Sequence, residues 1–202
     1  MARKFAEIAF TPAVKELQER YGSRQMYERF AETGATNDTI TLEIAEFIEQ
    51  RNSFYLGTVN SNNWPYIQFR GGSRGFLKVL DEKTLGFADF AGNCQYISIG
   101  NLSENDRVFL FLMDYANRRR LKIWGRAKVV YDDQELMQQL SIPGYNAKVE
   151  RVFIITVEAW DRNCPQHIPI CYSETEVAEM MAPLQARIKE LEAQLNLGKS
   201  VE

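Results

Sequence analysis

The chain has 202 residues, 45% of them apolar and 25% charged, with a formal net charge of −3. This is enough for one domain with a substantial core and an ordinary globular composition, and a weakly acidic balance gives no reason to expect a nucleic-acid partner. Three cysteines (Cys94, Cys164 and Cys171) without regular spacing or a CxxC pair read as reduced thiols in a cytoplasm rather than as a disulfide framework; no signal peptide or membrane span is expected, because no apolar run has the length.

Thr11-Pro12 starts a helix, with a hydroxyl at the N-cap and Pro at the first helical position, and Gly22 stops it. A second helix fits Thr41 to Arg51, where Ile40, Ile44, Phe47 and Ile48 share one helical face. The period then changes to that of strands. Phe54 to Val59 and Trp64 to Arg70 flank an Asn-rich turn, and Phe76 to Leu80 and Leu85 to Phe90 flank Asp81-Glu82-Lys83. A short helix is expected from about Gln95 to Leu102. Val108 to Met113 is an unbroken apolar run short enough for a strand buried on both faces. Leu121 to Val130 is its partner, with Lys122, Trp124 and Arg126 on one face. A helix at 132–140, a last strand at 152–160 and a helix at 174–195 complete the chain. Many short strands joined by hairpins indicate a mainly β barrel or sandwich with flanking helices. The expected organisation is one domain: N-terminal helices at 1–52, a β core at 53–160 and a C-terminal loop and helix at 161–202.

Three stretches carry candidate chemistry. In Gln68-Phe69-Arg70-Gly71-Gly72-Ser73, Gln68 and Arg70 share one strand face; if Ile67 and Phe69 fill the core, the polar pair lines the outside. An arginine fork beside glycine-exposed backbone N–H groups suits a phosphate, although a plain Gly-rich turn explains the same residues. In Gly86-Phe87-Ala88-Asp89-Phe90-Ala91-Gly92-Asn93 a strand end leads into a helix start. Asn93 there is either an anion donor or simply a cap, and Ser98 is either a donor or an ordinary helix residue. Arg118-Arg119-Arg120 reads as a solvated hairpin tip or an anion site, with Arg120 the stronger candidate. His167 is the only histidine, and with no HExxH, CxxC or paired His no metal is expected. Without its own acid–base or nucleophilic set, an enzyme of this kind needs a cofactor.

In order, Phe-Tyr-Leu-Gly-Thr-Val (54–59), Trp-Pro-Tyr-Ile-Gln-Phe-Arg-Gly-Gly (64–72), Thr-Leu-Gly-Phe-Ala-Asp-Phe (84–90), Gly-Asn (92–93), Asn-Leu-Ser-Glu-Asn-Asp-Arg-Val (101–108) and Leu-Lys-Ile-Trp-Gly-Arg-Ala (121–127) resemble the pyridoxamine 5'-phosphate oxidase-like FMN-binding split β-barrels. The resemblance covers about residues 40 to 160. It implies a homodimer with flavin sites at the interface. It also implies FMN contacts from Arg70, from backbone at Gly71, Gly72 and Ser73, from Phe87 and Ala88, and from Arg120 on the neighbouring strand; Gln68 and Asp89 are expected to join them in binding the cofactor. A Trp between Lys122 and Arg126 fits such an interface. The Ser-Arg-Lys triplet those oxidases use for the FMN phosphate is replaced by Ala91-Gly92-Asn93-Cys94-Gln95, and their substrate-binding Arg-x-His is missing. The phosphate is therefore expected to rely on Arg70, Asn93 and either Ser98 or a neighbouring arginine, and vitamin B6 is not the expected substrate. The expected activity is an FMN-dependent oxidoreductase with a small-molecule electron donor or acceptor. A non-catalytic flavin sensor, or a haem-binding barrel with His167 as ligand, is the alternative.

Overall fold

A computed structural model describes residues 2–92, 94–145, 147–162 and 165–199. Contacts gather the chain into two units: residues up to 114 together with 119 through the last strand, and residues 115–118 together with the segment from 165 onward. The first unit runs α1 (Lys4–Ala9), α2 (Pro12–Arg20), α3 (Arg24–Glu32), α4 (Leu42–Glu49), β1 (Ser53–Val59), β2 (Pro65–Gly71), β3 (Lys78–Val79), β4 (Thr84–Phe90), α5 (Ile97–Glu104), β5 (Arg107–Asp114), β6 (Arg119–Val130), α6 (Gln134–Leu140) and β7 (Val149–Arg162).

The local signals act as expected at α2 and α4. Thr11 and Thr41 accept hydrogen bonds from the amides of Val14 and Ile44, and Gly22 leaves α2 with φ +73°. The helices α1 and α3 were not legible, because they depend on tertiary contacts. Arg3 Nε donates to the carbonyls of Phe30 (3.0 Å) and Thr33 (3.1 Å), and the guanidinium lies 4.1 Å from the Phe30 ring centroid. Phe5 stacks on Trp124 at 6.0 Å. Trp124 is thus partly covered by the chain's own first helix, and Lys122 beside it pairs with Asp161 at 2.8 Å.

All seven strands form one antiparallel sheet in the order β2-β1-β5-β6-β7-β4-β3. Its inner face carries Phe54, Leu56, Leu85, Phe87, Leu110, Leu112, Leu121, Ile123, Phe153 and Ile155, and Ile44 and Ile48 of α4 join the same core. Phe87 stacks on Phe153 with ring centroids 4.8 Å apart. β5 alternates: Val108, Leu110 and Leu112 are buried, whereas Phe109, Phe111 and Met113 are only half-buried. The apolar run therefore faces the core on one side rather than both. At the bulge between Trp124 and Gly125 the β6 backbone comes so close to β7 that a Cβ on Gly125 would lie 2.6 Å from the Thr156 carbonyl oxygen.

The faces of β2 are the reverse of the expectation. Ile67 and Phe69 are 68% and 59% exposed, while Gln68 and Arg70 turn inward. The register is the reason. Leu56 pairs with Gln68 and Phe54 with Arg70, and cross-strand partners share a face, so the inward Phe54 and Leu56 carry Gln68 and Arg70 in with them. Although β2 and β4 are not hydrogen-bond neighbours, Arg70 Nη1 donates to Asp89 Oδ1 at 2.5 Å. The sheet is closed on that side by side chains instead of a backbone ladder, which makes the fold a split β-barrel with flanking helices.

One ion pair ties the segment before α4 to the β3–β4 turn. Lys83 Nζ lies 2.7 Å from Asp38 Oδ2, and Thr36 also donates to that carboxylate. These bonds, Lys83 first, hold the Asp38 carboxyl down at about 2. A depressed carboxylate pKa contributes stability that is fully present above its unfolded value and lost as pH falls through the folded one. Lys83→Met is expected to cost about 1 kcal/mol at neutral pH, after allowance for solvent screening of this partly exposed pair. The deficit should vanish on acidification to about pH 2, as read by urea titrations across that range.

In the second unit α7 (Glu174–Lys199) starts with a capping box: the Ser173 amide donates to Glu176 Oε2 at 2.7 Å, and the Glu176 amide donates to Ser173 Oγ at 3.2 Å. Among the described residues no helix is long and apolar enough to cross a membrane.

Candidate functional site

Closure of the barrel creates a cleft of about 200 Å³ lined by Gln68, Arg70, Asp89, Ser98, Glu150 and Arg151, with Phe90, Gly92, Cys94, Tyr96, Ile97 and Ile99 at its rim. β2 supplies Gln68 and Arg70, β4 supplies Asp89, α5 supplies Ser98, and β7 supplies Glu150 and Arg151. β4 and β7 place Asp89 directly opposite Arg151. α5 is tied to the sheet by a buried bond from Asn101 Nδ2 to Thr58 Oγ1 at 2.9 Å.

Asp89 is 7% exposed and sits between two guanidiniums, with Arg151 Nε 3.3 Å from Oδ2 in addition to the Arg70 bond. Burial pushes its carboxyl above the ordinary value against the pull of both arginines. Glu150 takes a second nitrogen of Arg151, and Tyr66 donates to Gln68 Oε1 at 2.9 Å. The arginines are held in place, yet the Nε of each makes no hydrogen bond, and that of Arg151 has only its ion-pair contact with Asp89. Arg70 Nε, Arg151 Nε and Ser98 Oγ are buried without a hydrogen-bond partner. Leaving such atoms unpaired is costly, and their residues all line this one cleft, which makes it the candidate ligand site.

The N-terminus of α5 adds to this. Its N-cap, Tyr96, is left-handed at φ +53° and supplies no side-chain cap, so the first-turn amides of Ile97, Ser98 and Ile99 stand at the cleft without one. Two arginines are balanced by Asp89 and Glu150, so the pull on an anion comes from directed donors and the helix end, not from net charge. The volume is below that usual for a whole drug-sized ligand, and fits one polar end of a larger molecule. Because Ser98 Oγ is buried with no partner to lose, Ser98→Ala is expected to stabilise the free protein by about 1 kcal/mol, as read by urea unfolding. The same variant should weaken phosphate-bearing ligands about tenfold, by calorimetric titration.

The structure thus gathers Gln68, Arg70, Asp89 and Ser98. Gly71 pairs with Ser53 in the sheet, the Gly72 amide donates to Asn52 at 2.9 Å, and Ser73 is exposed. Gly72 has a packing role as well, since a Cβ there would lie 2.9 Å from that of Phe76. The side chains of Phe87 and Ala88 are buried in the core, so what these two residues offer a ligand is main chain. Asn93 lies outside the described residues, as does Cys164. Arg120 lines a different pocket of about 320 Å³, with Arg119, Arg162, Glu43, Glu46 and Phe47, and its buried Nε also lacks a partner. Arg119 is no mere solvated tip: it bonds to the buried Asp114 at 2.6 Å. Arg151 was missed. The one hint is a charged pair, Glu150-Arg151, opening an otherwise apolar strand.

The model of the pyridoxamine 5'-phosphate oxidase family matches residues 40–164. The chain belongs to this family. The match of the oxidase-family model spans β1 to β7, every strand that builds the cleft. Among solved structures, HupZ of Group A Streptococcus is 18% identical with a TM-score of 0.50, over 66% of this chain and 99% of its own. An FMN-binding protein from Syntrophomonas wolfei is 12% identical at 0.48, over 73% and 97% of the two chains. HutZ, described as the haem storage protein of Vibrio cholerae, is 16% identical at 0.43, over 60% and 93%. At this identity the likeness to HupZ speaks for the fold alone. No curated protein sequence matches the chain.

Proposed function

We propose that this oxidase-family barrel binds FMN and works as a homodimeric, FMN-dependent oxidoreductase. The observation that carries the reading is that Arg70, Arg151 and Ser98, each with a buried polar atom that makes no hydrogen bond, line one cleft beside the start of α5, where Arg151 Nε has only its 3.3 Å ion-pair contact with Asp89. These donors fit a phosphate: guanidinium forks and a hydroxyl supply bonds that water or a neutral ligand would use only in part. Gln68 in the cleft and the exposed Ser73 just beyond β2 are the groups available to the rest of the cofactor. Arg120 lines a separate pocket in its own chain, so it would serve the cofactor of a second copy. The outward Ile67, Phe69 and Tyr55, all exposed, form the apolar surface such a pairing would cover.

FMN, when bound, supplies one- and two-electron redox chemistry that the side chains lack. The protein's part is to anchor the phosphate, keep the two arginines fixed through Asp89 and Glu150, and exclude water from the barrel closure. Among the described residues the cleft lining includes no histidine; Cys94 and Tyr96 are the groups a haem would have to use there, and a Soret band in place of flavin bands would favour that reading. The test is the absorption spectrum and released-ligand mass of the purified protein, followed by reduction with NAD(P)H and turnover of an added acceptor. Flavin bands with steady turnover support an oxidoreductase, and flavin without turnover supports a sensor. A colourless protein that takes up no added FMN would remove the proposal.

A further inference from the structure

α7 carries a second surface that the flavin reading does not use. Val177, Met181, Leu184, Ile188, Leu191 and Leu195 follow one another at steps of four, three, four, three and four residues. All six are exposed, between 41% and 67%. This is the seam of a coiled coil, with Met181, Ile188 and Leu195 at a and Val177, Leu184 and Leu191 at d. Pro183 inside the helix falls at c, so its ring stays off the seam, but it removes the backbone bond to Glu179 and bends the axis there, which leaves Leu184 to Leu195 as the unbroken part of the seam.

The flanking charges indicate what covers it. Arg187 lies at g and Glu192 at e, five residues on, which is the relation that a parallel pair of identical helices brings face to face; an antiparallel pair would set g against g and e against e. Within its own helix Arg187 reaches Glu190 at 2.6 Å, a solvent-exposed pair weak enough to exchange. A strictly apolar seam with one matched g–e pair on each side suits a second copy of the same sequence.

We propose that α7 zips in parallel against α7 of a second copy of this chain. A seam of about three heptads is marginal alone, so its strength rests on the homodimer reading above, in which paired barrels raise the effective concentration of one helix at the other.

The test uses the full chain with its natural cysteines replaced by serine and one cysteine introduced at a time. Val177→Cys and Leu191→Cys, at d, are expected to form disulfide-linked dimers on mild oxidation about tenfold faster or more than Ala186→Cys, at the outward f position. Arg187→Glu should slow the Leu191→Cys reaction, and adding Glu192→Arg should restore it. Equal rates at all three sites would overturn the proposal. So would cross-linking of Val177→Cys only when mixed with Leu195→Cys, the antiparallel result. Sedimentation of the reduced Ala186→Cys variant reads the barrel pairing separately. A dimer without d-site cross-links overturns the zipper alone, whereas a reduced monomer that still cross-links overturns the barrel pairing alone.

Discussion

Arg70→Ala is expected to reduce FMN affinity about 100-fold or more, from the loss of a charge-assisted fork to the phosphate. It should also cost about 3 kcal/mol of stability, because it leaves Asp89, 7% exposed, with a poorly aimed Arg151 as its remaining cation. The two effects come apart in the double variant Arg70→Met, Asp89→Asn. Neutralising both ends removes the stranded buried charge and should recover most of the stability, whereas FMN binding should stay lost. Urea unfolding of the free proteins and fluorescence titration with FMN give the two readouts. If the double variant binds FMN as the unaltered chain does, Arg70 only closes the barrel and the phosphate lies elsewhere.

The second large effect concerns β2. Its outward Ile67 and Phe69 are exposed, Tyr55 packs edge-on to Phe69 at 5.8 Å, and Trp64 nearby is 73% exposed. β2 is also an edge strand of the sheet. An apolar strand face left open to water is an aggregation hazard, so a covering partner is the physical expectation. Ile67→Asp with Phe69→Asp is expected to weaken dimerisation about 100-fold or more, because each charge enters a twofold interface twice. Both side chains lie outside the core, so the monomer should remain folded. FMN should be retained less well, since Arg120 of the second copy would no longer be near. Sedimentation and the flavin absorbance of the same samples check this; an unchanged dimer would place the pairing surface elsewhere.

Much of the fold was legible from local chemistry. Caps at Thr11 and Thr41, the Asn60–Asn63 turn and the β-branched, aromatic segments led to elements within a few residues of those observed. The failures share a cause. Alternation along β2 gave the correct period but the wrong inward face, because the rule that apolar residues face inward assumes a single burying surface. Here the outward face is apolar as well, and the inward one must supply the ion pair that closes the barrel. The packing of Phe5 on Trp124 was not legible for a similar reason: Phe5 is remote in sequence and lies in a helix too short to announce itself.

The sequence by itself determined where most strands and the capped helices lie, that the core is β, and that Arg70, Asp89 and Ser98 were worth watching. These depend on side-chain shape, backbone preference and caps within a few residues, which are local quantities. Only the tertiary structure decided that Asp89 stands opposite Arg151, that β2 meets β4 through a side-chain bridge, and that three residues lining one cleft each keep a buried polar atom without a hydrogen bond. An unsatisfied hydrogen bond is not a property of a residue but of everything around it, and those surroundings come from strands far apart in the chain.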